Sequence, residues 1–363
     1  MVVVIGSSAA DLDSIAGSLA YAYLLDREAA LSGPVIPYLP VPRGDLPLRP
    51  EAVYLFERVG LRWENLLFAD DIVLGNLLSA RQGELVLVDT QDSDLATDLR
   101  MRVIEVIDHH AEAPVPPPSG TGRPPHLRRW IVEPTGSACT IVAEQIVKRK
   151  PDILDPELAT LLLAVVLLDT INLDTKAGRA TERDREIARW LTRIGSADKS
   201  ALYEGLVRER SNIEGLDSDQ LLRKDYKERE VGSVRIGMSS VPILLESWRQ
   251  RDLLFEEGLT SYLAGKALDL LVVLLYLDGK QFRRQLILCS ADARMLERVV
   301  SRLAKPLGLS EIPAQIGGPK GPGKPRPAKD RRVIIRSFDQ GVTVASRKRI
   351  EPLLLQVLTA HEK

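Results

Sequence analysis

Cysteine is nearly absent from this chain of 363 residues: Cys139 and Cys289 are the only two, too few for a disulfide framework, and they argue against a structural zinc site. Histidine is scarce as well, with 4 residues. No excess of either charge exists. Net charge is -1, so no global field marks the chain as a partner of nucleic acid or an anionic membrane, and any polyanion must be held by a local basic cluster. Long apolar runs are missing too. The longest, Leu161 to Leu168, is too short to span a bilayer. No basic segment with a cleavage site opens the sequence; Met1-Val2-Val3-Val4-Ile5-Gly6 reads as a first strand rather than a signal peptide. Together these absences lead us to expect a cytoplasmic protein with reduced core thiols, with neither nucleic acid nor membrane as partner.

What is present is the balance of a globular protein, 45% hydrophobic and 27% charged, in a chain long enough for two domains. Short apolar runs alternate with helical patterns in the first half: Val2 to Ile5, Ser14 to Leu25, Glu84 to Val88 and Val103 to Ile107. That alternation predicts an α/β fold, a parallel sheet with helices on both faces, which places ligands at the carboxyl ends of its strands. Ser137 to Val147 and Glu157 to Leu168 read as helices, the second ending at Asp169, and Pro114 to Pro125 as a loop. A polar helix from Thr181 to Ile194 precedes Gly195-Ser196-Ala197-Asp198, where composition shifts. We therefore expect an N-terminal domain over 1–195, a linker over 196–215, and a smaller mixed α/β domain over 216–363, with the active site in the cleft between them. In the second domain Val231 to Met238, Asp269 to Leu277 and Gln285 to Leu288 read as strands, and Ala291 to Leu303 as a helix. Residues 306–329 read as a Pro/Gly/Lys-rich loop, Val333 to Arg336 with Val342 to Ala345 as a closing hairpin, and Arg349 to Leu358 as a last helix.

Carboxylates and imidazoles gather at the ends of the apolar runs. Asp11 and Asp13 follow the first strand, where they also read as a helix cap with a solvated neighbour. Asp89 ends the Glu84 to Val88 strand and Asp108-His109-His110 ends another. Neutral imidazoles beside carboxylates are good ligands for manganese-like divalent metals. Asp169, at the edge of an apolar helix, needs a cation or hydrogen bonds against desolvation and the helix dipole. The oxygen-rich set suits two Mn²⁺ or Mg²⁺ ions better than zinc, and such a pair can clamp a phosphoryl group and activate water. Farther along, Arg347-Lys348-Arg349 offers an anion clamp, bidentate through Arg347, with Lys224 and Lys227 as further cations; a solvated helix start is the alternative. Trp63, Trp130, Trp190 and Trp248 read as packing residues, and His126 and His361 as surface residues.

In this order the elements resemble the DHH phosphoesterase superfamily, in the branch of family II inorganic pyrophosphatases, yeast-type exopolyphosphatases and animal Prune proteins. Gly6 through Ser14 is similar to the first motif, Val88-Asp89 to the second, Asp108-His109-His110 to the third, Leu168-Asp169-Thr170 to the fourth, and Ser346-Arg347-Lys348 to the C-terminal substrate motif. Pro47-Leu48-Arg49, Gly136 to Thr140, Leu221 to Lys227 and Gly341 to Arg349 extend the likeness to Prune and exopolyphosphatases. The resemblance implies that Asp11, Asp13, Asp89, His109 and Asp169 bind metal, with Asp89 and Asp169 bridging, that His110, Lys227, Arg347 and Lys348 hold phosphate, and that Asp108 orients its neighbouring histidine. Asp89, Asp169 and His110 would carry the catalysis. It further implies a metal-dependent exopolyphosphatase acting on short-chain polyphosphate; a pyrophosphatase, a cyclic-nucleotide phosphodiesterase and a regulatory scaffold with weak activity are the alternatives. Where family II pyrophosphatases carry His and Prune relatives Asn, this chain has Ser7. Serine is a poorer ligand than imidazole, which argues against a dedicated pyrophosphatase. The nuclease-like branch carries a Gly-rich, His-containing motif that Gly317-Gly318-Pro319 does not match.

Overall fold

Runs of valine, isoleucine and leucine buried on both sides build the central strands β1 (Val2–Ile5), β4 (Glu84–Val88) and β5 (Val103–Asp108) of the first unit, flanked by the half-buried β2 (Val35–Leu39), β3 (Leu67–Phe68) and β6 (Arg129–Val132). They form one sheet in the order β3-β2-β1-β4-β5-β6, and every pairing is parallel. The computed structural model describes residues 1–28, 33–91, 95, 97–110, 127–195, 197–277, 282–313 and 333–359. It divides into two units, Met1–Asn212 and Ile213–Lys363.

Helices α1 (Leu12–Glu28), α2 (Pro50–Arg58), α3 (Leu74–Arg81), α4 (Thr97–Arg100), α5 (Ala138–Arg149), α6 (Pro156–Asp169), α7 (Glu182–Ile194) and α8 (Lys199–Ser211) complete the first unit. Side chains alternate across the sheet. Val2, Val4, Val86 and Val88 face the larger core with α1, α5 and α6, while Val3, Ile5, Leu85 and Leu87 pack with Leu78 of α3 on the other face. Asp155 caps α6, accepting a hydrogen bond from the Leu158 amide, with Pro156 in the first turn. Thr181 and Asp184 close a capping box at the start of α7. The 196–215 stretch expected as a linker carries α8, and its Leu202 and Leu206 are buried in the first unit's larger core.

The second unit is a mixed sheet, β7 (Tyr226–Val231), β8 (Val234–Val241), β9 (Leu270–Leu277), β10 (Arg283–Ser290), β11 (Leu309–Ile312) and β12 (Ile334–Gln340), in the order β11-β12-β10-β9-β8-β7. β8 and β9 are parallel, the other pairs antiparallel. Helices α9 (Ser218–Lys224), α10 (Leu245–Arg251) and α11 (Phe255–Gly265) cover one face, and α12 (Ala293–Leu307) and α13 (Arg347–Thr359) the other. Two expectations are corrected here. Residues 342–345 form no strand: the amides of Gly341 and Val342 donate to the carbonyls of Gly308 and Leu307, so this stretch closes a turn instead of a hairpin. The expected loop at 306–329 begins later, because Pro306 and Leu307 finish α12 and Leu309–Ile312 adds an edge strand. The remainder of that loop, the Pro114 to Pro125 loop, Asp92, His126 and His361 lie outside the described residues. Among the described residues no helix is long and apolar enough to cross a membrane.

One glycine sets the approach of β1 to α1. A Cβ at Gly6 would lie 2.6 Å from the Ser14 carbonyl oxygen and 2.8 Å from Ser14 Cβ, so backbone would have to move. Gly75, in α3, faces open space within 4 Å. Gly6→Ala is expected to destabilise the fold by about 1–3 kcal/mol, whereas Gly75→Ala is expected to stabilise it by about 0.5 kcal/mol. Urea denaturation checks both, and equal effects would refute the close approach.

Candidate metal centre

The strand order reverses between β1 and β4, since β1 has β2 on one side and β4 on the other. Ligands in open parallel sheets bind beside the carboxyl ends of strands at this kind of switch point. Those ends lead to Asp11 and Asp13 after β1, Asp89 after β4, and Asp108, His109 and His110 at the end of β5. Asp169 is the last residue of α6.

Each side chain has a local reason for its pose. Asp11 Oδ1 accepts from the Ser14 amide at 3.1 Å, a helix cap. The capping alternative therefore holds for Asp11. Asp13 is buried at the start of α5, where Oδ1 accepts from Ser137 Oγ at 2.8 Å and the Cys139 amide at 2.9 Å, and Oδ2 from the Ala138 amide at 2.7 Å. Its negative charge suits that helix N-terminus. Asp89 has a left-handed backbone, φ 58°, pinned by its amide on the Ile107 carbonyl at 2.8 Å. Its Oδ2 accepts from Ser14 Oγ, the contact that Gly6 permits. Asp108, also buried, takes the His110 Nδ1 proton on Oδ1 at 2.7 Å and the Gln91 amide on Oδ2 at 2.8 Å. Although burial pushes the Asp108 carboxyl upward, these hydrogen bonds and the histidine charge hold it below its ordinary value.

His109 has a fixed ring orientation. Nδ1 lies 2.9 Å from the Thr135 carbonyl oxygen, which can only accept, so Nδ1 carries a hydrogen and Nε2 is the nitrogen turned toward the carboxylates. Nε2 sits 3.3 Å from Asp89 Oδ1 and 3.8 Å from Asp13 Oδ2. His110 Nδ1 is 3.6 Å from Asp89 Oδ1, and Asp89, His109 and His110 each offer a ligand atom within 4.8 Å of the others. At such a distance from carboxylate oxygens Nε2 needs either a proton or a metal cation between them.

Electrostatics point the same way. Asp89 Oδ1 and Asp169 Oδ2 are buried with no hydrogen-bond partner. Burial, then the charges of Asp11 and Asp13, push the Asp89 carboxyl up to about 6. Burial, then Asp13 and Asp11, push Asp169 well up, with Arg210 and His109 opposing. Carboxylates arranged this way fit a hard divalent cation, which satisfies the orphaned oxygens and removes the repulsion.

The remaining sequence-expected residues lie in the second unit. Arg347 opens α13 and pairs with Asp225 Oδ1 at 2.8 Å, Lys227 is two residues on in β7, and Lys348 is exposed. Ser7 is buried, and its Oγ accepts from the Ala9 amide at 3.3 Å. Ser14, expected to fix Asp11 and Asp13 at the strand-to-helix turn, holds Asp11 through its amide and Asp89 through its hydroxyl; sequence reasoning missed the roles of Gln91, Ser137 and the Thr135 carbonyl, for which the helix-start pattern around Ser137 was the available signal. Arg210 was missed because its segment read as a linker.

Comparison with known proteins agrees with this geometry. The DHH family, N-terminal domain, matches residues 1–166, and the DHHA2 domain matches residues 204–357. Exopolyphosphatase PRUNE1 of Homo sapiens is 30% identical over 362 residues, 99% of this chain and 76% of that protein. A manganese-dependent inorganic pyrophosphatase of Methanocaldococcus jannaschii is 27% identical over 251 residues, 66% of this chain and 71% of that protein. A crystal structure from Methanococcus jannaschii, described as a family II inorganic pyrophosphatase, shares the fold with a TM-score of 0.66 at 21% identity over 99% of each chain. The chain belongs to the DHH family of two-domain proteins that pair a DHH with a DHHA2 domain. Within that family it falls in the branch of the PRUNE1 proteins, to which it is similar nearly end to end.

A carboxyl raised in the folded state stabilises the fold below its unfolded value near 4, and that stabilisation is lost as pH rises through about 6. A shift of this size is worth on the order of 3 kcal/mol. Metal-free protein is therefore expected to melt higher at pH 5 than at pH 7.5, Asp89→Asn to reduce the difference, and Mn²⁺ to raise Tm at pH 7.5. Thermal melts in chelator check the pH dependence, and melts with Mn²⁺ and no chelator check the metal effect. A pH difference untouched by Asp89→Asn would contradict it.

Proposed function

We propose that this protein is a divalent-metal-dependent phosphoanhydride hydrolase, an exopolyphosphatase that releases terminal phosphate from short-chain inorganic polyphosphate. The observation that carries the proposal is the approach of Asp89 Oδ1, a buried oxygen without a hydrogen-bond partner, to His109 Nε2 at 3.3 Å, together with the partnerless buried Asp169 Oδ2. Asp11, Asp13, Asp89, His109 and Asp169 would hold two Mn²⁺ or Mg²⁺ ions, with Asp89 and Asp169 bridging. Relatives named as manganese-dependent pyrophosphatases support the metal, and those named as exopolyphosphatases support the reaction. When bound, the cations supply Lewis acidity toward phosphoryl oxygens and water.

The chain's own residues do the rest. His110, held by Asp108 through Nδ1, would hold or give a proton at Nε2 toward a phosphoryl oxygen. Lys227, Arg347 and Lys348 of the second unit would bind phosphate, Arg347 with its guanidinium oriented by Asp225. The Ser7 hydroxyl serves its own turn in place of the imidazole that family II pyrophosphatases are expected to carry, which favours polyphosphate over pyrophosphate. Two buried free cysteines fit a cytoplasmic setting.

With Mn²⁺, phosphate release from tripolyphosphate and tetrapolyphosphate is expected to exceed that from pyrophosphate. Asp89→Ala should lower it about 10²-fold or more, and Ser8→Ala at an exposed position should leave it unchanged. Faster pyrophosphate hydrolysis would replace this reading with a pyrophosphatase, turnover of a cyclic nucleotide alone with a phosphodiesterase, and metal binding without any turnover with a scaffold.

A further inference from the structure

Asp184 stands outside the cluster of candidate ligands, yet it is wholly buried, at 0% exposure. Its carboxylate accepts from the Thr181 amide and Thr181 Oγ1 on Oδ2, both at 2.6 Å. The bond from the Thr181 amide, with the Asp184 amide donating back to Thr181 Oγ1 at 3.4 Å, is the capping box of α7, and helix capping requires nothing more. Three further bonds have no such purpose. The Gly136 amide donates to Oδ1 at 3.0 Å and to Oδ2 at 2.8 Å, and Thr140 Oγ1 donates to Oδ1 at 2.6 Å. Asp184 thus ties the start of α7 to the turn that precedes α5 and to the first turn of α5.

That turn orients two candidate ligands at once. The Thr135 carbonyl fixes His109 Nδ1. Ser137 Oγ and the amides of Ala138 and Cys139 fix both oxygens of Asp13. Gly136, between them, is the residue that Asp184 holds. On its other side Gly136 packs against Thr170, the neighbour of Asp169: a Cβ at Gly136 would lie 2.4 Å from Thr170 Cγ2, 2.8 Å from the Arg179 carbonyl oxygen and 3.0 Å from Asp184 Oδ2. The turn has no room to shift without moving the end of α6.

We propose that Asp184 is a positioning residue of the metal centre, its carboxylate locking the Thr135-Gly136-Ser137 turn so that His109 and Asp13 meet the ion in register. The inference rests on the metal reading above. Outer groups of this kind typically change metal affinity about 10–100-fold when removed. Asp184→Asn keeps the volume but loses the charge and one of the two bonds from the Gly136 amide, since that amide donates to both oxygens and the new amide nitrogen must replace one of them.

The test is titration of the full chain with Mn²⁺ by calorimetry, alongside thermal melts. Wild type should bind, and Asp184→Asn should weaken Mn²⁺ about 10–100-fold. Thr181→Ala removes a capping bond to the same carboxylate without touching Gly136; it should lower Tm and leave Mn²⁺ affinity unchanged. Unaltered Mn²⁺ affinity in Asp184→Asn, or equal losses in both variants, would overturn the proposal. If Asp184→Asn does not fold, Gly136→Ala displaces the same turn without replacing either residue of the capping box; weakened Mn²⁺ binding supports the proposal, and wild-type affinity in that folded variant overturns it. Failure of the wild type itself to bind Mn²⁺ overturns the metal reading and this inference with it.

Discussion

Repulsion among buried carboxylates at the end of a parallel sheet is the constraint around which the first unit is organised. Asp13 and Asp89 are each 4% exposed, and Asp169 carries a buried oxygen with no donor. Like charges in so little water repel strongly. The fold tolerates them because every element near them supplies something: the α5 N-terminus gives amides to Asp13, Ser14 gives a hydroxyl to Asp89, and Asp108 holds His110. Arg210 and His109 offset that repulsion only in part, and Asp89 Oδ1 and Asp169 Oδ2 keep no hydrogen-bond partner. A divalent cation would complete the compensation, and the feature that strains the metal-free protein is then the one suited to hold it.

Holding such a cluster requires rigid neighbours, and the structure provides them through close backbone approaches. Gly6 lets β1 run beside the first turn of α1, which brings Ser14 to Asp89. Gly136 lets the turn before α5 lie against Thr170 and Asp184, which brings Thr135 and Ser137 to their histidine and aspartate. Both glycines serve by the absence of a Cβ rather than by a special φ. Chemistry at the strand ends therefore depends on packing one layer behind it, where no side chain is itself a ligand.

Much of this was legible in the sequence because two signals coincide. Apolar runs such as Val2 to Ile5 and Glu84 to Val88 announce strands, and the acidic or imidazole residue ending each run announces the site; Leu161 to Leu168 followed by Asp169 does the same for a helix. Other parts were hidden for physical reasons. β7 reads Tyr-Lys-Glu-Arg-Glu-Val, an edge strand whose charges mask its alternation. α8 buries little beyond Leu202, Gly205 and Leu206 among exposed charges, so it read as a linker. Val342 and Ala345 look strand-like, yet tertiary hydrogen bonds to the end of α12 turn them. Asp184 sits in a helix-start pattern indistinguishable from an ordinary cap, since its bonds to Gly136 and Thr140 span more than forty positions.

The measurement that bears most directly on the metal centre is anomalous diffraction from crystals grown with Mn²⁺. Two peaks about 3.5–4 Å apart, among Asp11, Asp13, Asp89, His109 and Asp169, are the result the proposed function predicts. Well-ordered crystals with no anomalous peak among these side chains, or with Mn²⁺ bound elsewhere, would contradict it.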